Sequence, residues 1–108
     1  MKIDLLYFNG FPSWQNGLTN LQTALREEKL EISIHLVEVK SELESTGMKF
    51  LGSPSFQIDG QDFWPEDRQA YSINCRVYTT HAGLKGWPSA DMLRQKIIEI
   101  MEEKDQGK

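Results

Sequence analysis

The sequence holds one cysteine, Cys75, so no internal disulfide can form, which suits a reducing compartment. Its two histidines, His35 and His81, stand far from each other and from any thiol pair. No metal-ligand spacing results, and no cofactor is called for. Long apolar runs are missing too: nothing approaches the roughly 20 residues needed to cross a bilayer. The opening "MKIDLLYFNG" carries one lysine and a short apolar run broken by Asp4, unlike the longer apolar stretch of a secretory signal. Cytoplasm is therefore the expected location. Basic residues are sparse, with 12 Lys and Arg against 16 Asp and Glu and a net charge of −4. That balance, without a long basic run, argues against a surface that tracks nucleic-acid phosphates, and leaves only local patches open. Repeats and low-complexity tracts are absent.

What remains is an ordinary globular composition over 108 residues, enough for a single core and too little for two. One domain is expected over residues 1–104, with 105–108 as a frayed tail. "KIDLLYF" shows little polar alternation and reads as a strand covered on both faces, lying centrally in a sheet. From Ser13 onward, Trp14, Leu18, Leu21 and Leu25 share one helical face to about residue 29, with Gln15, Asn20, Arg26 and Glu27 on the wet side. "EISIHLVEV" reads as a second buried strand, and a helix between two such strands makes them parallel. Ser41 with Glu44 is a capping-box signal for a short helix.

"GSPSFQIDGQDFW" predicts a hairpin, with strands near 55–58 and 61–64 around an Asp59-Gly60 turn suited to type I′. The stretch from Pro65 to Pro88 has Pro, Asp, Asn and Gly without a clean period, so it reads as a long ordered loop with one short extended piece at "CRVY". Pro88, Ser89 as N-cap and Asp91 open a last helix with Leu93, Ile97, Ile100 and Met101 inside. The expected order is β-α-β-α-β-β-α, an α/β fold with a four-stranded mixed sheet and helices on both faces.

That order resembles the thioredoxin-like fold. "YFNGFPSWQ", "FLGSPSFQIDGQD", "YSINCRVY" and "GLKGWPS" further resemble a small bacterial group of thioredoxin-like proteins, over nearly the whole chain. In that group the turn after the first strand has the form G-C-P-x-W. Here Phe11 replaces the cysteine, and the two positions of a general C-x-x-C motif carry Phe11 and Trp14. Dithiol exchange needs an attacking thiolate and a second thiol to release the mixed disulfide, and this turn supplies neither.

Two readings stand for Phe11 and Trp14: they close over the core, or with Trp64 and Trp87 they line a recognition patch. Pro12 fixes the backbone at the start of the helix. The resemblance implies a cis Ser53–Pro54 bond that holds the backbone of Ser53 open to an extended thiol substrate. Cys75 has two readings as well: a thiol made reactive by Arg76, Arg68, His81 and Lys85, or an inert, buried or half-buried one with Arg76 turned to solvent. In relatives a cysteine at this position could pair with the one at position 11. His35 reads as a sheet-surface residue, Asp59 and Asp62 as turn chemistry, and Glu66, Asp67 and Arg68 as a solvated loop.

The functional expectation is a redox-degenerate binding module. Its groove is formed by Phe11, Pro12, Ser13, Trp14, Ser53, Pro54 and Arg76, and takes an unknown protein, a peptide or a small thiol ligand. The alternative is a one-thiol redox or glutathione-linked enzyme using Cys75. A monomer or weak dimer is expected, with no nucleic-acid or membrane partner.

Overall fold

A computed structural model describes residues 1–106. Strand β1 spans Lys2–Tyr7, helix α1 Trp14–Glu27, β2 Ser33–Glu38, α2 Glu42–Gly47, β3 Ser55–Ile58 and β4 Gln61–Asp62. A second, two-stranded sheet of β5 (Tyr78–Thr80) and β6 (Gly83–Lys85) precedes α3 (Ala90–Gln106). The chain is mixed α/β, with a four-stranded sheet in the order β2-β1-β3-β4. β1 runs parallel to β2 and antiparallel to β3, and β3 is antiparallel to β4. Because α3 takes in residues 105 and 106, the rest of the expected tail, 107–108, lies outside the described residues.

The apolar run of β1 follows from its place inside the sheet. Ile3 and Leu5 point into a core with Leu21, Ala24 and Leu25 of α1, Phe56 and Ile58 of β3, and Leu93 and Ile97 of α3. Leu6 alternates to the other face, where it packs with Val39 and Phe50. Each such side chain contributes about 1.5–3 kcal/mol on burial, so both faces of β1 stabilise the sheet. On α1 the expected stripe runs inward, Leu21 and Leu25 buried and Trp14 and Leu18 half-buried against them.

Local signals set the element ends. Ser41 Oγ accepts from the Glu44 N–H at 3.1 Å, and Glu44 Oε1 accepts from Lys40 N–H at 3.3 Å. Ser89 Oγ likewise accepts from Met92 N–H at 3.1 Å. The Asp59-Gly60 turn has φ of 49° and 88°, the paired positive values of a type I′ hairpin. Asp59 also accepts from Lys2 N–H and from the Lys104 ammonium, and these donors hold its carboxyl below the usual range.

Four expectations need correction. β2 is an edge strand rather than a buried one, with Leu36 at 48 % exposure, because it stands at the end of the strand order with β1 on one side only. β4 is shorter than expected, Gln61–Asp62: one further rung, Phe63 N–H to Phe56 C=O at 2.8 Å, follows it, and the Asp62 carboxylate then accepts from Trp64 N–H at 2.8 Å as the chain leaves the sheet. The loop after Pro65 contains the β5–β6 hairpin, closed by Thr80 Oγ1 donating to Gly83 C=O at 2.7 Å. Asn20 does not take the wet side: its amide donates to Pro88 C=O at 2.9 Å and ties α1 to the start of α3.

Candidate functional site

At the head of α1 the chain turns tightly, Phe11 N–H donating to Phe8 C=O at 3.0 Å and Gln15 N–H to Pro12 C=O at 3.1 Å. Pro12 is exposed on the outside of this turn. Ser13 stands at the cap position in helical conformation and makes no side-chain cap bond. Gly86 lies against it, close enough that a Cβ there would sit 3.2 Å from Ser13 Oγ. Trp14 stacks on Tyr7 with centroids 4.2 Å apart, and Phe11 is tilted against Phe8 at 5.1 Å. Both rings are half-buried, so each combines packing with an accessible face.

Ser53 and Pro54 adjoin this turn. The peptide bond between them is cis. Ser53 Oγ accepts from Phe8 N–H at 3.0 Å, and the Tyr78 hydroxyl donates to Pro54 C=O at 2.6 Å. Gly17 lets α1 approach Pro54 closely, since a Cβ at that position would lie 3.2 Å from the proline Cγ. Both residues are buried. The expected open backbone at Ser53 is not found. Its N–H donates to Asn74 C=O at 2.8 Å, and its C=O accepts from Arg76 N–H at 3.1 Å. The chain's own 74–76 segment thus fills the position that an extended ligand was expected to take, as a parallel bridge between Ser53 and Cys75.

Arg76 anchors that segment, and the pairing of exposed Arg76 with half-buried Cys75 is reversed: Arg76 is 6 % exposed and Cys75 is exposed. Arg76 Nη1 donates to both Asp62 carboxylate oxygens at 3.0 Å and to Ser55 Oγ at 3.2 Å. Nη2 donates to Trp64 C=O at 2.6 Å, and the guanidinium carbon lies 5.4 Å from the Tyr78 ring centre. With these bonds made, the guanidinium is committed to the interior and does not serve Cys75 as a counter-charge. Burial raises the Asp62 carboxyl above its usual range, and the Arg76 charge opposes this only in part. Burial likewise pushes the Tyr78 hydroxyl far above an ordinary phenol. Gly52 permits the close approach, with φ of +116° and a would-be Cβ only 2.8 Å from Arg76 Cβ. Outside this clamp, Glu42 accepts from Ile73 N–H at 3.2 Å.

The structure therefore brings Phe11, Pro12, Ser13 and Trp14 together with Ser53 through Phe8, and Cys75 to Ser53 through the bridge. Open concavity lies elsewhere. Two adjoining depressions of about 340 and 330 Å³ share Trp64 and Met92. One is lined also by His81, Ser89 and Arg94, the other by Arg76, Val77, Tyr78 and Thr79. Trp64 packs edge-on to Tyr78 at 5.4 Å, and Trp87 is half-buried. His35 is exposed on the sheet edge.

Among the described residues, no three His, Cys, Asp or Glu side chains gather as a metal site, and no helix is long and apolar enough to cross a membrane. No family model, curated protein or solved structure matches the chain.

Proposed function

We propose that this chain is a cytoplasmic, thioredoxin-like binding module that has lost dithiol chemistry and takes a peptide or small thiol-type ligand. The fold reading is supported by the strand order β2-β1-β3-β4, with β1 parallel to β2 and antiparallel to β3. The observation that carries the functional reading is the head of α1: it bears half-buried Phe11 and Trp14 where a thiol pair would act, in a chain whose one thiol is Cys75. Since the Ser53 backbone is already paired, ligand contact falls to the Phe11 and Trp14 faces, exposed Pro12 and the outer side of Cys75.

Insulin-disulfide reduction with fresh reductant tests the loss of dithiol chemistry. Wild type and Cys75→Ser are expected to match the blank, and turnover abolished by Cys75→Ser overturns the reading. Titration with glutathione, followed by amide chemical shifts, tests the ligand class. Shifts confined to Phe11, Trp14 and Cys75 support it, and their absence removes glutathione as a representative ligand.

The exposure of Cys75 favours a second reading, one-thiol chemistry. A Cys75 thiolate would attack glutathione disulfide, form a mixed disulfide with one glutathione and release the other as thiolate. Alkylation of native Cys75 at neutral pH faster than in the denatured chain would place this reading ahead of the first.

A further inference from the structure

The hydrogen-bond phase of edge strand β2 is fixed by its inner neighbour. Val39 N–H donates to Tyr7 C=O at 2.8 Å. Bonding sides alternate along a strand, so Ser33, His35 and Val37 turn their backbone groups toward β1, while Ile34, Leu36 and Glu38 turn theirs outward. Among the described residues, no partner meets those outward groups. Sheet edges are commonly guarded by proline, lysine, a bulge or a covering loop. "SIHLVE" has neither proline nor lysine, its register with β1 is unbroken, and Leu36 near its middle is 48 % exposed.

We propose that β2 pairs antiparallel with β2 of a second copy of this chain, about a two-fold axis through Leu36. Outward groups bond only to outward groups, so the paired positions must both be Ile34, Leu36 or Glu38. One symmetric register uses all three: Leu36 faces Leu36 of the second copy, and Ile34 faces Glu38 in both directions. This register covers the exposed Leu36 side chains with each other and sets His35 opposite Val37 rather than opposite another histidine. Charge selects the direction. Glu31 and Lys40 are exposed beyond opposite ends of the strand, so antiparallel pairing brings them to the same end, whereas parallel pairing would set each beside its own kind. A six-residue pairing is small beside the roughly 1,200 Å² of a stable interface, so association is concentration-dependent.

Sedimentation velocity over a concentration series tests the dimer. Wild type is expected to move toward twice the monomer mass, and Leu36→Lys to weaken self-association about tenfold or more by setting like charges on the axis. Register is read by cross-linking in a Cys75→Ser background. Leu36→Cys should oxidise to a covalent dimer, because the two positions face each other within disulfide reach. Ile34→Cys should not, since the two copies of that position lie about 14 Å apart in this register. A wild type that stays monomeric at hundreds of micromolar overturns the proposal. So does a dimer indifferent to Leu36→Lys, or equal cross-linking at both positions.

Discussion

Replacing Arg76 with methionine removes a buried charge while keeping most of the side chain's reach. The Arg76 and Asp62 side chains are 5 % and 8 % exposed and pair at 3.0 Å. In the variant the Asp62 carboxylate keeps its burial and loses its counter-charge, while Trp64 C=O and Ser55 Oγ lose a donor. Breaking a buried pair in this way costs about 3–5 kcal/mol, a large part of the roughly 5–15 kcal/mol that holds a domain folded. At about 4 °C per kcal/mol for a chain of this size, the midpoint should fall by about 12–20 °C. Urea unfolding followed by tryptophan fluorescence measures the loss directly. Lys96→Ala is the control: its pair with Glu99, at 3.2 Å with side chains 31 % and 55 % exposed, should cost under about 1 kcal/mol.

The pH dependence adds a signature. The folded-state pKa of Asp62 is raised above the ordinary 3.8, so the folded state binds its proton more tightly than the unfolded chain does. Stability from this group therefore falls as pH rises from 3.8 through the folded value. Without Arg76, the largest influence opposing that rise, the decline should extend to higher pH. Adding Asp62→Leu should recover much of the loss by removing the orphaned carboxylate. A cost below about 1 kcal/mol with an unchanged pH profile, or a double variant no better than the single one, would refute the role assigned to the clamp.

Tyr78→Phe should cost about 1–2 kcal/mol in the same urea assay, because the buried Pro54 C=O loses the hydroxyl donor at 2.6 Å. A neutral result would mean that water reaches this carbonyl. Gly52→Ala should cost about 1–3 kcal/mol from its positive φ, with a further loss from the contact with Arg76. Gly60→Ala, with φ of +88° and open space around it, isolates the backbone contribution, so equal losses at the two positions would rule out the contact.

The legible parts of the fold were those set by nearest neighbours along the chain. β1, the Asp59-Gly60 turn and the Ser41 and Ser89 caps each follow from a few adjacent residues. β2 misled because an apolar run is the same string whether it is covered on both sides or left at an edge; which one depends on strands laid beside it. The β5–β6 hairpin did leave a signal, β-branched "VYTT" before a glycine at φ +98°, but Pro, Asp and Asn on either side hid the period. Arg76 departs furthest from its expected place, turned inward rather than to solvent. An arginine in a loop reads as solvated unless its acceptors are known, and Asp62, Ser55 and Trp64 C=O come from positions 12 to 21 residues away. Asn20 shows the same limit, its partner Pro88 lying 68 residues along the chain.

The bridge between Ser53 and Cys75 also sets a threshold for any outside strand. A peptide seeking the Ser53 N–H and C=O competes with a rival on the same chain, whose local abundance is on the order of millimolar for a short tether, before the Arg76 anchor is counted. Displacement therefore lowers the apparent affinity of every backbone-pairing ligand by the small fraction of time the rival is away. Side-chain recognition carries no such penalty. Under the proposed binding role, a ligand that reads the Phe11 and Trp14 faces displaces no backbone pairing, which favours shape and aromatic contact over strand addition at this end of the sheet.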